Sequence, residues 1–172
     1  TEEDGCYPTL VYGATKQLNE FMARKYATAY GMFVVGVRVS VVIGAGRKAG
    51  NVAPTMVAAL PAVGQPVVIP FRPDQRALLI HVDDVAEIFA RLCNAVRIRH
   101  PIYHTGGHTC TFSDEAYIVR SFIPEANISF ATSPVDLPLV YLVDSTRLQE
   151  EFGFRHAPLE QSVLDVMNWT RR

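Results

Sequence analysis

Tyr12 and Lys16, in the run Thr9-Leu10-Val11-Tyr12-Gly13-Ala14-Thr15-Lys16, are the pair of residues best suited to chemistry. At i and i+4 on a helix they share one face, a turn apart. An ammonium beside a phenol favours the phenolate. A phenol held this way can exchange a proton with a substrate hydroxyl while a cofactor moves a hydride. The same spacing also describes an ordinary exposed helical pair, worth a few tenths of a kcal/mol. The elements around the pair must separate the two readings.

Pro8 suits a helix start, and residues 9–30 read as a helix stopped at Gly31, with Val11, Ala14, Leu18, Phe21, Met22 and Ala29 as its apolar stripe. The β-branched run 33–43 reads as one strand buried on both faces of a parallel sheet. A Gly-rich turn at 44–50 leads to a short helix from Val52 to Leu60, stopped by Pro61. Strands follow at 67–70 and 78–82, and Asp83 and Asp84 read as caps of a helix with Val85, Ile88, Phe89 and Leu92 on its core face. A brief strand at 102–105 closes at Gly106-Gly107. Further helices are expected from Thr111 or Ser113 to about Phe122, from Asp144 or Ser145 to Gly153, and from near Pro158 onward, with Leu159, Val163, Val166 and Met167 on one face. Trp169, Phe152 and Phe154 read as core. Strands alternating with helices indicate α/β architecture.

Bulk composition narrows the function. A chain of 172 residues with formal charge −1 and no Lys/Arg cluster points away from nucleic acid and anionic membranes as partners. No apolar run reaches transmembrane length, and the three cysteines, Cys6, Cys93 and Cys110, read as reduced thiols. Cytoplasmic residence is the resulting expectation. The absence of an initiator methionine suggests a piece of a longer protein.

The ordered segments resemble the extended short-chain dehydrogenase/reductases, the NAD-dependent epimerase/dehydratase family, over that family's carboxyl-terminal half. The resemblance rests on Pro8-x-x-x-Tyr12-Gly13-x-x-Lys16, on Arg38-Val39-Ser40-Val41-Val42-Ile43-Gly44-Ala45-Gly46-Arg47 and on Ile80-His81-Val82-Asp83-Asp84-Val85-Ala86. It extends to Tyr103-His104-Thr105-Gly106-Gly107 and to Asp144-Ser145-x-x-Leu148-x-x-x-Phe152-Gly153-Phe154. It implies the carboxyl-terminal part of a Rossmann-type parallel sheet plus a small mixed α/β substrate-binding domain. Residues 1–46 and 82–110 would form the tail of the dinucleotide-binding domain, and 47–81 and 111–172 the substrate-binding domain.

By the same resemblance Tyr12 is the catalytic acid/base, and Lys16 tunes it and holds the nicotinamide ribose. Ser40, Val41 and Val42 border the cofactor, NAD or NADP, and Arg47, Arg76 and His81 are candidate substrate contacts. The substrate would be a sugar or other small molecule reacting at a hydroxyl or carbonyl carbon, in an epimerase, dehydratase or dehydrogenase/reductase. Homodimerisation through the Tyr12/Lys16 helix is implied as well.

Three departures qualify the expectation. The family's Gly-rich turn lies before the tyrosine helix, so this chain alone is expected to bind the cofactor weakly or not at all, and to be inactive. Val41 stands where nucleotide-sugar members commonly carry asparagine. Arg76 lies one position further from His81 than the family's phosphate-binding arginine does, which on a strand turns it to the other face. An alternative reading is a non-catalytic binding or regulatory module of the same fold.

Other patterns carry less. Gly44-Ala45-Gly46 imitates a dinucleotide fingerprint, but Gly50 falls out of register and Pro54 and Pro61 interrupt the helix. His100, His104, His108 and Cys110 would need one helix to share a metal, and Pro101 and Gly106-Gly107 forbid it. No metal site is therefore expected.

Overall fold

The computed structural model describes residues 1–47, 49–135 and 138–172. Helix α1 spans Val11–Tyr30 and ends on Gly31 in the left-handed conformation at φ 63°, where a Cβ would be disfavoured. The apolar run that follows is divided. Strands β1 (Gly36–Arg38) and β2 (Val41–Ile43) belong to different sheets. β1 pairs in parallel with β5 (Ile102–His104), Arg38 opposite His104. β2 pairs in parallel with β4 (Arg76–His81), Ile43 opposite His81. The switch lies at Ser40, whose backbone N–H donates to Thr105 Oγ1 at 3.1 Å, while the Thr105 N–H donates to the Arg38 carbonyl at 3.1 Å. A hydroxyl thus replaces a ladder carbonyl and lets the chain leave one sheet for the next. Both strands are mostly half-buried rather than enclosed on both faces as the sequence suggests.

Helix α2 (Ala53–Ala62) keeps Pro61 inside its last turn, instead of stopping before it. The N–H groups of Val63 and Gln65 bond back to the Leu60 carbonyl, closing that end. β3 (Val67–Ile69) pairs in parallel with β7 (Ile128–Phe130), and β6 (His108–Thr111) pairs antiparallel with β4. Neither β6 nor β7 is anticipated from the sequence. Helices α3 (Val82–Asn94), α4 (Phe112–Phe122), α5 (Thr146–Phe152) and α6 (Leu159–Thr170) complete the α/β arrangement. Thr111 begins α4 with a reciprocal capping box to Asp114.

Among the described residues, the two larger of three apolar clusters hold these layers. One joins Val57, Ile69, Phe112, Val119, Val163 and Met167, from α2, β3, α4 and α6. The other joins Ile80, Ile88, Leu92, Tyr103, Leu148 and Phe154, beneath α3 and α5. Two residues read as core lie at the surface instead: Phe89, and Trp169 at 51% exposure. Among the described residues, no helix is long and apolar enough to cross a membrane.

Candidate functional site

Helix α1 positions the chemical pair. Lys16 Nζ lies 5.0 Å from the Tyr12 ring centroid, a cation–π distance, and Tyr12 is 70% exposed. The Thr15 hydroxyl donates to the Tyr12 carbonyl at 2.7 Å. The half-buried positions of α1 are Gly13, Glu20, Ala23 and Ala27. On a wheel advancing ~100° per residue they gather on one side, toward β1, with Lys16 within that sector and Tyr12 at its edge. A void of about 50 Å³ separates Glu20, Ala23 and Ala27 from Gly36 and Ile102. The apolar stripe of Val11, Leu18, Phe21 and Met22 faces the other way and is exposed; α1 buries no residue.

An ion pair ties this helix to the sheet. Arg38 donates to both oxygens of Glu20, at 2.8 and 2.9 Å, and its Nη1 lies 3.2 Å from His104 Nε2. Hydrogen bonding from Arg38 holds the Glu20 carboxyl below its usual range, and the Glu20 bond raises Arg38 in turn. Burial lowers His104, so the imidazole beside Arg38 is held neutral.

Ser40, Val41 and Val42 lie half-buried at the crossing between the two sheets. Beyond them Gly44 passes so near α3 that a Cβ would overlap the Val82 side chain. Arg47 folds back on this turn and donates to the Val42 carbonyl, while its Nε is buried with no partner among the described residues. Burial lowers its pKa. Asn51 Nδ2 is likewise buried with no partner among the described residues. Asn51 shares a cavity of about 410 Å³ with Gly50, Val52, Pro70, Phe71 and Val135. The sequence reading passes over Asn51; a polar side chain at the entry of a helix carrying Pro54 was its signal.

The three expected substrate contacts do not form one cluster. Arg76 opens β4 and stacks its guanidinium 4.8 Å from the Tyr141 ring, whereas His81 closes the same strand. At ~3.3 Å per residue the strand holds them roughly 16 Å apart. His81, not Asp83 or Asp84, supplies the cap of α3: its Nδ1 accepts the Asp83 backbone N–H at 3.3 Å. Asp84 is buried and turns to the opposite segment, where the Ala157 N–H reaches its two oxygens at 3.4 and 3.3 Å. Burial raises its pKa. Among the described residues, no group of three His, Cys, Asp or Glu is arranged to hold a metal ion.

Comparison with known proteins places this geometry. Among curated proteins, no sequence matches significantly. Solved structures match well in shape at low identity. An L-threonine dehydrogenase from Cupriavidus necator superposes with TM-score 0.82 at 21% identity, over 94% of this chain and 56% of its own. UDP-glucuronic acid 4-epimerase from Bacillus cereus gives 0.84 at 16% identity, over 99% of this chain and 55% of its own. UDP-glucose 4-epimerase from Thermus thermophilus gives 0.81 at 22% identity, over 96% and 55%. The chain therefore spans just over half the length of these structures. The sequence of residues 1–106, which carries Tyr12, Lys16 and the parallel β1–β5 and β2–β4 pairings, matches the NAD dependent epimerase/dehydratase family; this chain belongs to that family.

Proposed function

We propose that the protein acts in NAD(P)-linked chemistry at a hydroxyl or carbonyl carbon of a small molecule, as an epimerase, dehydratase or dehydrogenase. The observation that carries this reading is the Tyr12–Lys16 pair: ammonium and ring 5.0 Å apart on one helix face, within the segment matched by the family. Tyr12 moves the proton at the substrate oxygen. Lys16 stabilises the phenolate and has donors left for ribose hydroxyls.

The residues present suit the nicotinamide riboside end of a dinucleotide. Tyr12 and Lys16 are both solvent-facing, and the half-buried segment 40–42 lies where the chain crosses between sheets. Bound nicotinamide supplies the hydride exchange. The chain's own residues hold the riboside, deliver or remove the proton at Tyr12 Oη, and present Arg47 and Asn51 to the substrate side. Arg47 and Asn51 are favoured as contacts because each carries a buried donor without a partner, which a substrate oxygen would satisfy.

We assign residues 1–46 and 82–110 to the cofactor side and 47–81 and 111–172 to the substrate side. The outward stripe of α1 is assigned to a homodimer contact, since Leu18, Phe21 and Met22 are large, apolar and exposed.

Replacing Tyr12 with Phe, in a protein that also carries the family's Gly-rich cofactor-binding half, tests the reading. Turnover is expected to fall by at least tenfold, about 1.4 kcal/mol of barrier, with folding unchanged. A smaller change rejects Tyr12 as the proton donor.

A further inference from the structure

Arg38 and His104 are register partners on the parallel strands β1 and β5, so their side chains leave the same face of the sheet side by side. Arg38 Nη1 lies 3.2 Å from His104 Nε2. A guanidinium has only donors, so Nε2 is the accepting nitrogen and the proton of the neutral ring sits on Nδ1. The ring is 8% exposed. A second proton has one place to go: on Nε2, as an N–H aimed at a cation.

The carboxylates around the ring already hold donors. Both Glu20 oxygens accept from Arg38. Glu2 accepts the His104 backbone N–H at 2.9 Å and lies 3.5 Å from Arg147 Nε. Asp4 is engaged by the Thr1 amino group and hydroxyl, and Asp144 accepts the Thr146 N–H at 2.9 Å. With Arg38 these are the charged groups that the imidazole faces. Nδ1 is buried with no hydrogen-bond partner among the described residues. An imidazolium here would meet a guanidinium and carboxylates already committed elsewhere.

The same guanidinium seats α1. That helix buries none of its own residues, and beside the fork from Arg38 to Glu20 it has a bond from Gln17 Nε2 to the Cys6 carbonyl at 3.0 Å. A guanidinium pushed away from β5 carries the fork with it. We propose that His104 is a pH-sensing positioning residue: its protonation at Nε2 displaces Arg38 and loosens the docking of α1, so the helix is seated only while the ring is neutral. The device concerns the seat of the helix and stands whether or not Tyr12 is the proton donor. Burial lowers the His104 pKa, so the unfolded chain takes the proton first. The stabilising contact is therefore whole above ~6.5 and is lost as pH falls through that value toward the folded one.

Amide hydrogen exchange across Val11–Tyr30 in the full chain, corrected for the intrinsic rate, measures the seating of α1, and the His104 ring resonances measure its protonation. Protection of α1 is expected to fall by about tenfold between pH ~7.5 and ~5.5, the value of one hydrogen bond to a charged group. Its midpoint should match that of the His104 ring, while α4 keeps its protection. At neutral pH the ring nitrogen shifts should report the Nδ1–H tautomer. His104→Gln offers Arg38 an amide oxygen that does not titrate, and its α1 protection is expected to stay level over the same range. Level protection in the parent, an equal fall in α4, the same fall in His104→Gln, or a midpoint apart from that of the His104 ring overturns the proposal. An Nε2–H tautomer at neutral pH overturns it without any variant.

Discussion

Arg38 and Glu20 meet in a two-point fork, Nε and Nη2 each donating to one carboxylate oxygen at 2.8 and 2.9 Å. Planar, charge-assisted pairs of this kind fix orientation as well as distance. Here the fork joins β1 to the helix that carries Tyr12, and both side chains are about one-fifth exposed. Arg38→Met is therefore expected to destabilise the fold by about 1.5–3 kcal/mol. Because the folded-state pKa of Glu20 is depressed, its contribution is present above the unfolded value of ~4.3 and is lost as pH falls through the folded value. Melting temperatures taken from neutral pH down to pH 3 should converge for parent and Glu20→Gln.

The outward face of α1 makes a second prediction. Leu18, Phe21 and Met22 are exposed, although apolar side chains of this size are usually covered. Leu18→Glu combined with Phe21→Glu is expected to convert a dimer into a monomer by light scattering while leaving the helix content intact. A dimer that survives both substitutions removes α1 from the contact.

Glu115 is a buried carboxyl on α4, and neither of its oxygens has a hydrogen-bond partner among the described residues. Burial raises its pKa well above the ordinary value. The native state thus binds this proton more tightly than the unfolded chain, and stability falls as pH rises above ~4.3 toward the folded value. Glu115→Met, similar in size and apolar, is expected to stabilise the protein more at pH 7.5 than at pH 4.5. Equal gains at both pH values would place Glu115 in contact with water.

Cysteine reactivity should divide by depth. Burial pushes the Cys110 thiol up to about 12, with Glu115 and Asp114 adding to the effect, whereas Cys93 is exposed. In native protein a disulfide reagent is expected to titrate Cys93 and leave Cys110 unmodified until denaturant is added. Cys93→Ser should abolish the fastest phase.

The helices were the legible part of this sequence, because their signals are local. Gly31 and Gly153 end α1 and α5 in the left-handed conformation as their positions suggest. The strands depended on distant partners. Nothing in the run 33–43 announces that Thr105, far along the chain, captures the Ser40 N–H and splits one apparent strand between two sheets. β7 is three residues long and exists through its pairing with β3. At α3 the sequence favoured Asp83 and Asp84 as caps, since carboxylates suit that position. His81 holds it instead, because its Nδ1 reaches the Asp83 N–H while burial turns Asp84 toward Ala157. At the reactive pair the reverse holds: a one-turn spacing needs no tertiary information, and Lys16 lies over Tyr12 as helix geometry requires.

The helix that carries Tyr12 and Lys16 buries none of its own residues. It lies over a gap of about 50 Å³ and is joined to β1 by the Arg38–Glu20 fork, and Tyr12 stands about two turns from that fork. A second copy docked on the outer stripe, as proposed, would brace that helix, so assembly and proton delivery would be lost by the same substitutions.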